Sequence, residues 1–97
     1  MKNYVYVVVK SILDNERHVD NTGSMIGGFE LISKSVSEVY MNLEDAESYL
    51  NKKADMFKDY GRSVYKWENE KVIECTKKVR DRFIRIDKYE IVVREVR

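Results

Sequence analysis

Between Tyr4 and Lys10 the chain alternates without a polar side: Tyr4, Tyr6 and Val8 fall on one face of an extended segment, and Val5, Val7 and Val9 on the other. Successive side chains of a strand point to opposite faces, so apolar residues on both mark a strand covered on both sides, and this one is expected at the centre of a sheet. Residues 29–32 and 36–41 read as further strand material interrupted by Ser and Lys, as one bent strand or two short ones. The period then changes. Leu43, Ala46, Leu50, Ala54 and Phe57 recur every three or four residues, which predicts a helix over 43–60 with its apolar stripe on the sheet. Asn42 stands at the N-cap position, Asp45 follows where an acid can face the free amides, and Glu44 and Glu47 suit the positive end of the helix dipole. Gly61 supplies the left-handed stop.

Beyond Gly61 the strand signals return. Residues 63–68 carry Val64, Tyr65 and Trp67; Asn69 and Glu70 suggest a tight turn; Val72, Ile73 and Cys75 follow. Residues 79–86 and 89–96 read as two more strands, separated by a turn at Asp87 and Lys88. The expected fold is α+β: one amphipathic helix on a four- to six-stranded, largely antiparallel sheet, with residues 1–97 as a single domain. A chain of this length buries a modest core, so no deep pocket is expected within one subunit.

Composition places the chain among soluble globular domains, at 43% hydrophobic and 36% charged residues. The apolar run from Val5 to Val9 is too short to span a bilayer, and no charged segment leads into a cleavable signal. With Cys75 as its single cysteine the chain can form no internal disulfide, and a cytoplasmic protein without membrane association is expected.

The net charge of +1 hides an uneven distribution. Residues 1–75 hold 10 basic and 13 acidic side chains, whereas residues 76–97 hold 8 and 4. The segment CTKKVRDRFIRIDK, residues 75–88, crowds Lys77, Lys78, Arg80, Arg82, Arg85 and Lys88 against two acids. In a regular strand Arg80 and Arg82 share one face and Arg85 takes the other. Tyr65, Trp67, Phe83 and Tyr89 lie in the same half of the chain, and rings beside guanidinium groups can stack on a nucleotide or single-stranded nucleic acid. Arg80, Arg82, Arg85, Lys88, Tyr89 and Trp67 are therefore the candidate contacts for a partner or nucleic acid.

Catalytic chemistry has few candidates. His18 and Cys75 are single copies, the first in a polar loop and the second on a strand where a small buried hydrophobe is expected, so no enzyme is expected. Asp14, Glu16, His18 and Asp20 alternate along DNERHVDNTG and invite a cation, but the segment lacks the central glycine and terminal glutamate of a calcium loop and reads as a solvated loop. GSMIGG lacks the Lys-Ser/Thr pair of a phosphate-binding loop. Neither a metal nor a cofactor is expected.

The segment VSEVYMNLEDAESYL, residues 36–50, and the closing run YEIVVREV, residues 89–96, resemble a pattern in small proteins of phages and mobile elements of AT-rich bacteria. Such proteins include anti-CRISPR-like and other anti-defence inhibitors, which occlude a host protein or sequester a nucleotide signal. The resemblance implies a non-enzymatic inhibitor of a bacterial defence or nuclease complex, acting in the host cytoplasm through a protein surface. The residues alone leave open a second expectation, a nucleotide or nucleic-acid binding module built on the C-terminal basic and aromatic residues. A homodimer through an open sheet edge fits either.

Overall fold

The computed structural model describes residues 3–14, 30–67, 69, 71–79 and 82–96. They form β1 (Asn3–Asp14), β2 (Glu30–Tyr40), α1 (Leu43–Asp59), β3 (Ser63–Trp67), β4 (Val72–Val79) and β5 (Arg82–Val96). The strands make one antiparallel sheet in the order β2-β1-β5-β4-β3. This is the expected α+β arrangement. Helix α1 leaves β2 at one edge and delivers the chain to β3 at the other, so it crosses one face and touches all five strands.

The helix forms where the apolar stripe predicts it. Ala46, Leu50, Ala54 and Phe57 are buried against Val8, Ile73, Cys75 and Tyr89. Aromatic rings continue the packing from β2 to the helix end. Tyr40 meets Tyr49 at 5.9 Å, Tyr49 meets Tyr89 edge-on at 6.5 Å, and Phe57 lies 6.1 Å from Tyr89. Ser37 on β2 shares a 2.6 Å hydrogen bond with the Tyr49 hydroxyl, tying the edge strand to the helix. At the N-terminus Asn42 takes the capping position with extended backbone, but its side chain donates to the Asp45 carboxylate at 3.3 Å instead of accepting from the first-turn amides.

The C-terminus follows the expected stop. Gly61 has φ +77°, its N–H donates to the Lys58 carbonyl at 2.9 Å, and the Arg62 N–H donates to the Phe57 carbonyl at 3.0 Å. These are the two reversed hydrogen bonds of a Schellman ending, which satisfy carbonyls the helix itself leaves free.

Residues 30–40 form one strand bent by register shifts beside Val8 and Ile12, the first of the two expected alternatives. Two expectations need correction. The turn expected at Asp87 and Lys88 is absent: β5 runs unbroken through both, because Asp87 is buried and balanced by arginines on the helix side. The expected turn residue Asn69 does adopt a left-handed φ of +57°, while Glu70 lies outside the described residues. The second correction concerns β1. It has strand neighbours on both sides, but α1 covers only the face carrying Tyr6 and Val8. On the opposite face Val39, Val7 and Val92 form one cross-strand row, and Val36, Val9, Glu90, Val72 and Trp67 the next. No element among the described residues lies over these rows, and Val36 is 61% exposed. Among the described residues, no helix is long and apolar enough to cross a membrane.

Candidate functional site

The Schellman ending sets the site. By reversing the chain at Gly61 it lays Arg62 back over Phe57, with the guanidinium carbon 4.6 Å from the ring centroid. A cation there also suits the negative end of the helix dipole. From that position Arg62 Nη2 donates to the Cys75 carbonyl at 2.6 Å and to Asp87 Oδ1 at 3.3 Å.

Asp87 is the hub. Arg85, two residues earlier on the same strand face, donates from Nε to Asp87 Oδ1 at 2.7 Å and from Nη2 to Oδ2 at 3.4 Å. Burial by itself pushes the Asp87 carboxyl up, but the hydrogen bonds and charges of Arg85 and Arg62 outweigh it and hold the group below the ordinary carboxylate value. The hydrogen bond to Asp87 in turn raises the Arg85 guanidinium. Asp87 is therefore ionised at neutral pH.

Around this pair lies a cavity of about 630 Å³ at the helix C-terminus. Its cationic lining comes from four places in the chain: Lys10 on β1, Arg62 after α1, Lys77 and Lys78 on β4, and Arg85 on β5. Phe57, Tyr60 and Gly61 close the helix side. Pairing explains the convergence, because Arg85 stands directly opposite Lys77, and a register shift between Lys77 and Lys78 keeps both lysines at the cavity. Lys10 lies across from Tyr89 with its ammonium 5.6 Å from the ring.

Lys10, Arg62, Lys77, Lys78 and Arg85 thus line a cavity whose one carboxylate among the described residues, Asp87, accepts from Arg62 and Arg85; Lys78 has a partner of its own, and Asp14 stands across from Arg85 in the strand pairing. Arg62 Nε is buried and has no acceptor among the described residues. An unsatisfied buried donor in a positively charged recess favours an anion with several acceptor oxygens. Tyr60, with three quarters of its surface exposed, stands at the same recess as an aromatic face.

The residues expected to form one basic surface are distributed otherwise. Arg85 lines the cavity. Tyr89 sits below it in the core at 2% exposure, which leaves it no ring face for a partner. Lys88 and Trp67 occupy the opposite face, beside a smaller cavity of about 390 Å³ shared with Val72, Glu74 and Glu90. Arg82 belongs to β5 by its backbone, and Arg80 lies outside the described residues, as do His18 and most of the acidic segment 14–20. Sequence reasoning missed Lys10, Tyr60 and Arg62, and it noted Lys77 and Lys78 only as part of the basic run, not as contacts. The signal for Arg62 was its place immediately after the glycine that ends the helix, where the side chain must fold back over the last turn.

Little of the Cys75 thiol is ionised at neutral pH. The residue is fully buried, and burial pushes its thiol up to about 11, partly offset by the Arg62 charge. Comparison with known proteins adds nothing to this geometry: no family model, curated protein or solved structure matches the chain.

Proposed function

We propose that the chain is a non-enzymatic binding protein for a phosphate-bearing ligand of nucleotide type, taken into the basic cavity at the helix C-terminus. The observation that carries this reading is the charge of the lining: Lys10, Arg62, Lys77 and Arg85 converge on a recess whose one carboxylate among the described residues, Asp87, is already engaged. The volume of about 630 Å³ falls within the range of small-molecule sites. Lys77, exposed on β4, supplies a donor to phosphate oxygens, and Arg85, whose Nε and Nη2 already donate to Asp87, adds its charge and its remaining N–H groups. Tyr60 offers a base or sugar an aromatic face at the rim.

The reading as an inhibitor acting through a flat protein surface draws on residues that the fold divides. Arg85 is on the helix side and Lys88 and Trp67 are on the other, so one contact does not reach all three. Sequestration of a nucleotide signal remains compatible with the cavity.

Calorimetric titration with a nucleoside triphosphate, inorganic phosphate and a short oligonucleotide tests the proposal. The triphosphate is expected to bind, to weaken with added salt, and to lose at least about tenfold, or about 1.4 kcal/mol, in Lys77→Glu and in Arg85→Gln. Lys52→Glu, exposed on the helix, serves as the control. Oligonucleotide binding without triphosphate binding would assign the cavity to nucleic acid. The absence of binding by all three probes, or affinity unchanged in both cavity variants, would overturn it.

A further inference from the structure

The sheet face opposite the helix raises a separate question, because β1 is built for burial on two sides and the described residues provide it on one. Val7 and Val9 sit at the centre of that face, flanked by Val39 and Val36 on β2 and by Val92 on β5. Val39 is 54% exposed, and Trp67, at the far edge, 53%. An apolar sheet face of this extent on a small domain marks an interaction surface.

We propose that this face packs against the same face of a second copy of the chain, forming a two-fold symmetric homodimer of stacked sheets. Three observations select that occupant. The first is area. Strands about 4.8 Å apart across five positions, and β1 from Val5 to Leu13 at about 3.3 Å per residue, outline roughly 500 Å² per copy. Two such faces give about 1,000 Å², the threshold for a specific interface, before side-chain relief adds to it.

The second is charge. Lys34, Lys88 and Arg94 share the face with Glu74 and Glu90, and Lys88 approaches Glu90 to 3.9 Å. Both signs on one surface suit a partner that carries both, as a two-fold related copy does. An anionic lipid surface or a nucleic acid would meet the two glutamates.

The third is the state of the sheet edges. Register shifts interrupt the edge strand β2 twice, and β3 at the other edge is five residues long. Bulged or short edge strands discourage pairing edge to edge. The edges are guarded and, among the described residues, the face is not, so association takes place face to face, with the two sheets about 10 Å apart.

Sedimentation of the full chain without ligand, from about 1 µM to about 1 mM, reads this directly, since weak homodimers dissociate in that range. Trp67 is the single tryptophan and lies on the face, so its emission is a second readout. A species of twice 11.6 kDa is expected at high concentration, with Trp67 emission moving to the blue as it forms. Val36→Glu and Val39→Glu, at exposed positions that leave the core intact, are each expected to raise the dissociation constant at least about tenfold while preserving the circular dichroism spectrum. A constant 11.6 kDa species throughout, or a dimer unaffected by either substitution, would overturn the proposal.

Discussion

Arg85 and Asp87 stand two residues apart on one face of β5, and the Arg85 Nε–H donates to Asp87 Oδ1 at 2.7 Å. A buried carboxylate inside a strand is costly unless its charge is matched and its oxygens are occupied. Arg85 meets that need from the same strand and Arg62 meets it from the end of the helix, at 3.3 Å. One carboxylate therefore locks the helix terminus to the sheet and holds two arginines at the cavity.

Replacing the hub should expose this dependence. Asp87→Asn leaves Arg62, whose side chain is 13% exposed, without its counter-charge. A loss of about 3 kcal/mol in unfolding free energy is expected, the lower end for breaking a buried pair. Urea denaturation would read it as a lower midpoint at an unchanged slope.

The same group sets the acid limit. Its folded-state pKa lies below the unfolded value of about 3.9, so its contribution is present above that value and is lost as pH falls through the folded one. Thermal melts between about pH 5 and pH 2 should show a loss of stability that is reduced in Asp87→Asn.

On the alkaline side the sign reverses. Burial raises the Cys75 thiol from 9.0 to about 11 and the Tyr89 phenol from 10.0 to about 12. Both groups favour the folded state while protonated, so their contribution is complete below the unfolded values and is lost as pH rises through the folded ones. Melts should fall from pH 9 onward, and Cys75→Ala should flatten the part between 9.0 and about 11.

Gly61→Ala isolates the turn from packing. A Cβ at Gly61 meets nothing within 4 Å, so the cost arises from φ +77° alone and should be about 1 kcal/mol. Because Gly61 aims Arg62, ligand affinity should fall along with stability, a coupling that a two-dimensional series of melts and titrations would reveal.

The helix was legible because its stripe, from Leu43 to Phe57, is local information, and the strands because their alternation is. Asp87 misled because a polar pair between two β-type runs reads as a turn; what keeps it in the strand is Arg62, 25 residues away, brought near by the helix reversal. The basic cluster was legible as charge but not as a site. Strand alternation sends Arg85 and Lys88 to opposite faces, and the cavity gains Lys10 and Arg62 from segments with no basic excess of their own. The open face was hidden for a different reason: a strand apolar on both sides signals two-sided burial without saying whether the chain itself or another molecule provides the second layer.

Amide NMR during titration with a nucleoside triphosphate tests the binding cavity most directly, since it locates the ligand as well as detecting it. Shift changes concentrated at Lys10, Gly61, Arg62, Lys77 and Arg85, and reduced by Lys77→Glu, are the predicted result. No change at millimolar ligand, or changes confined to the opposite face around Val36 and Trp67, would contradict it.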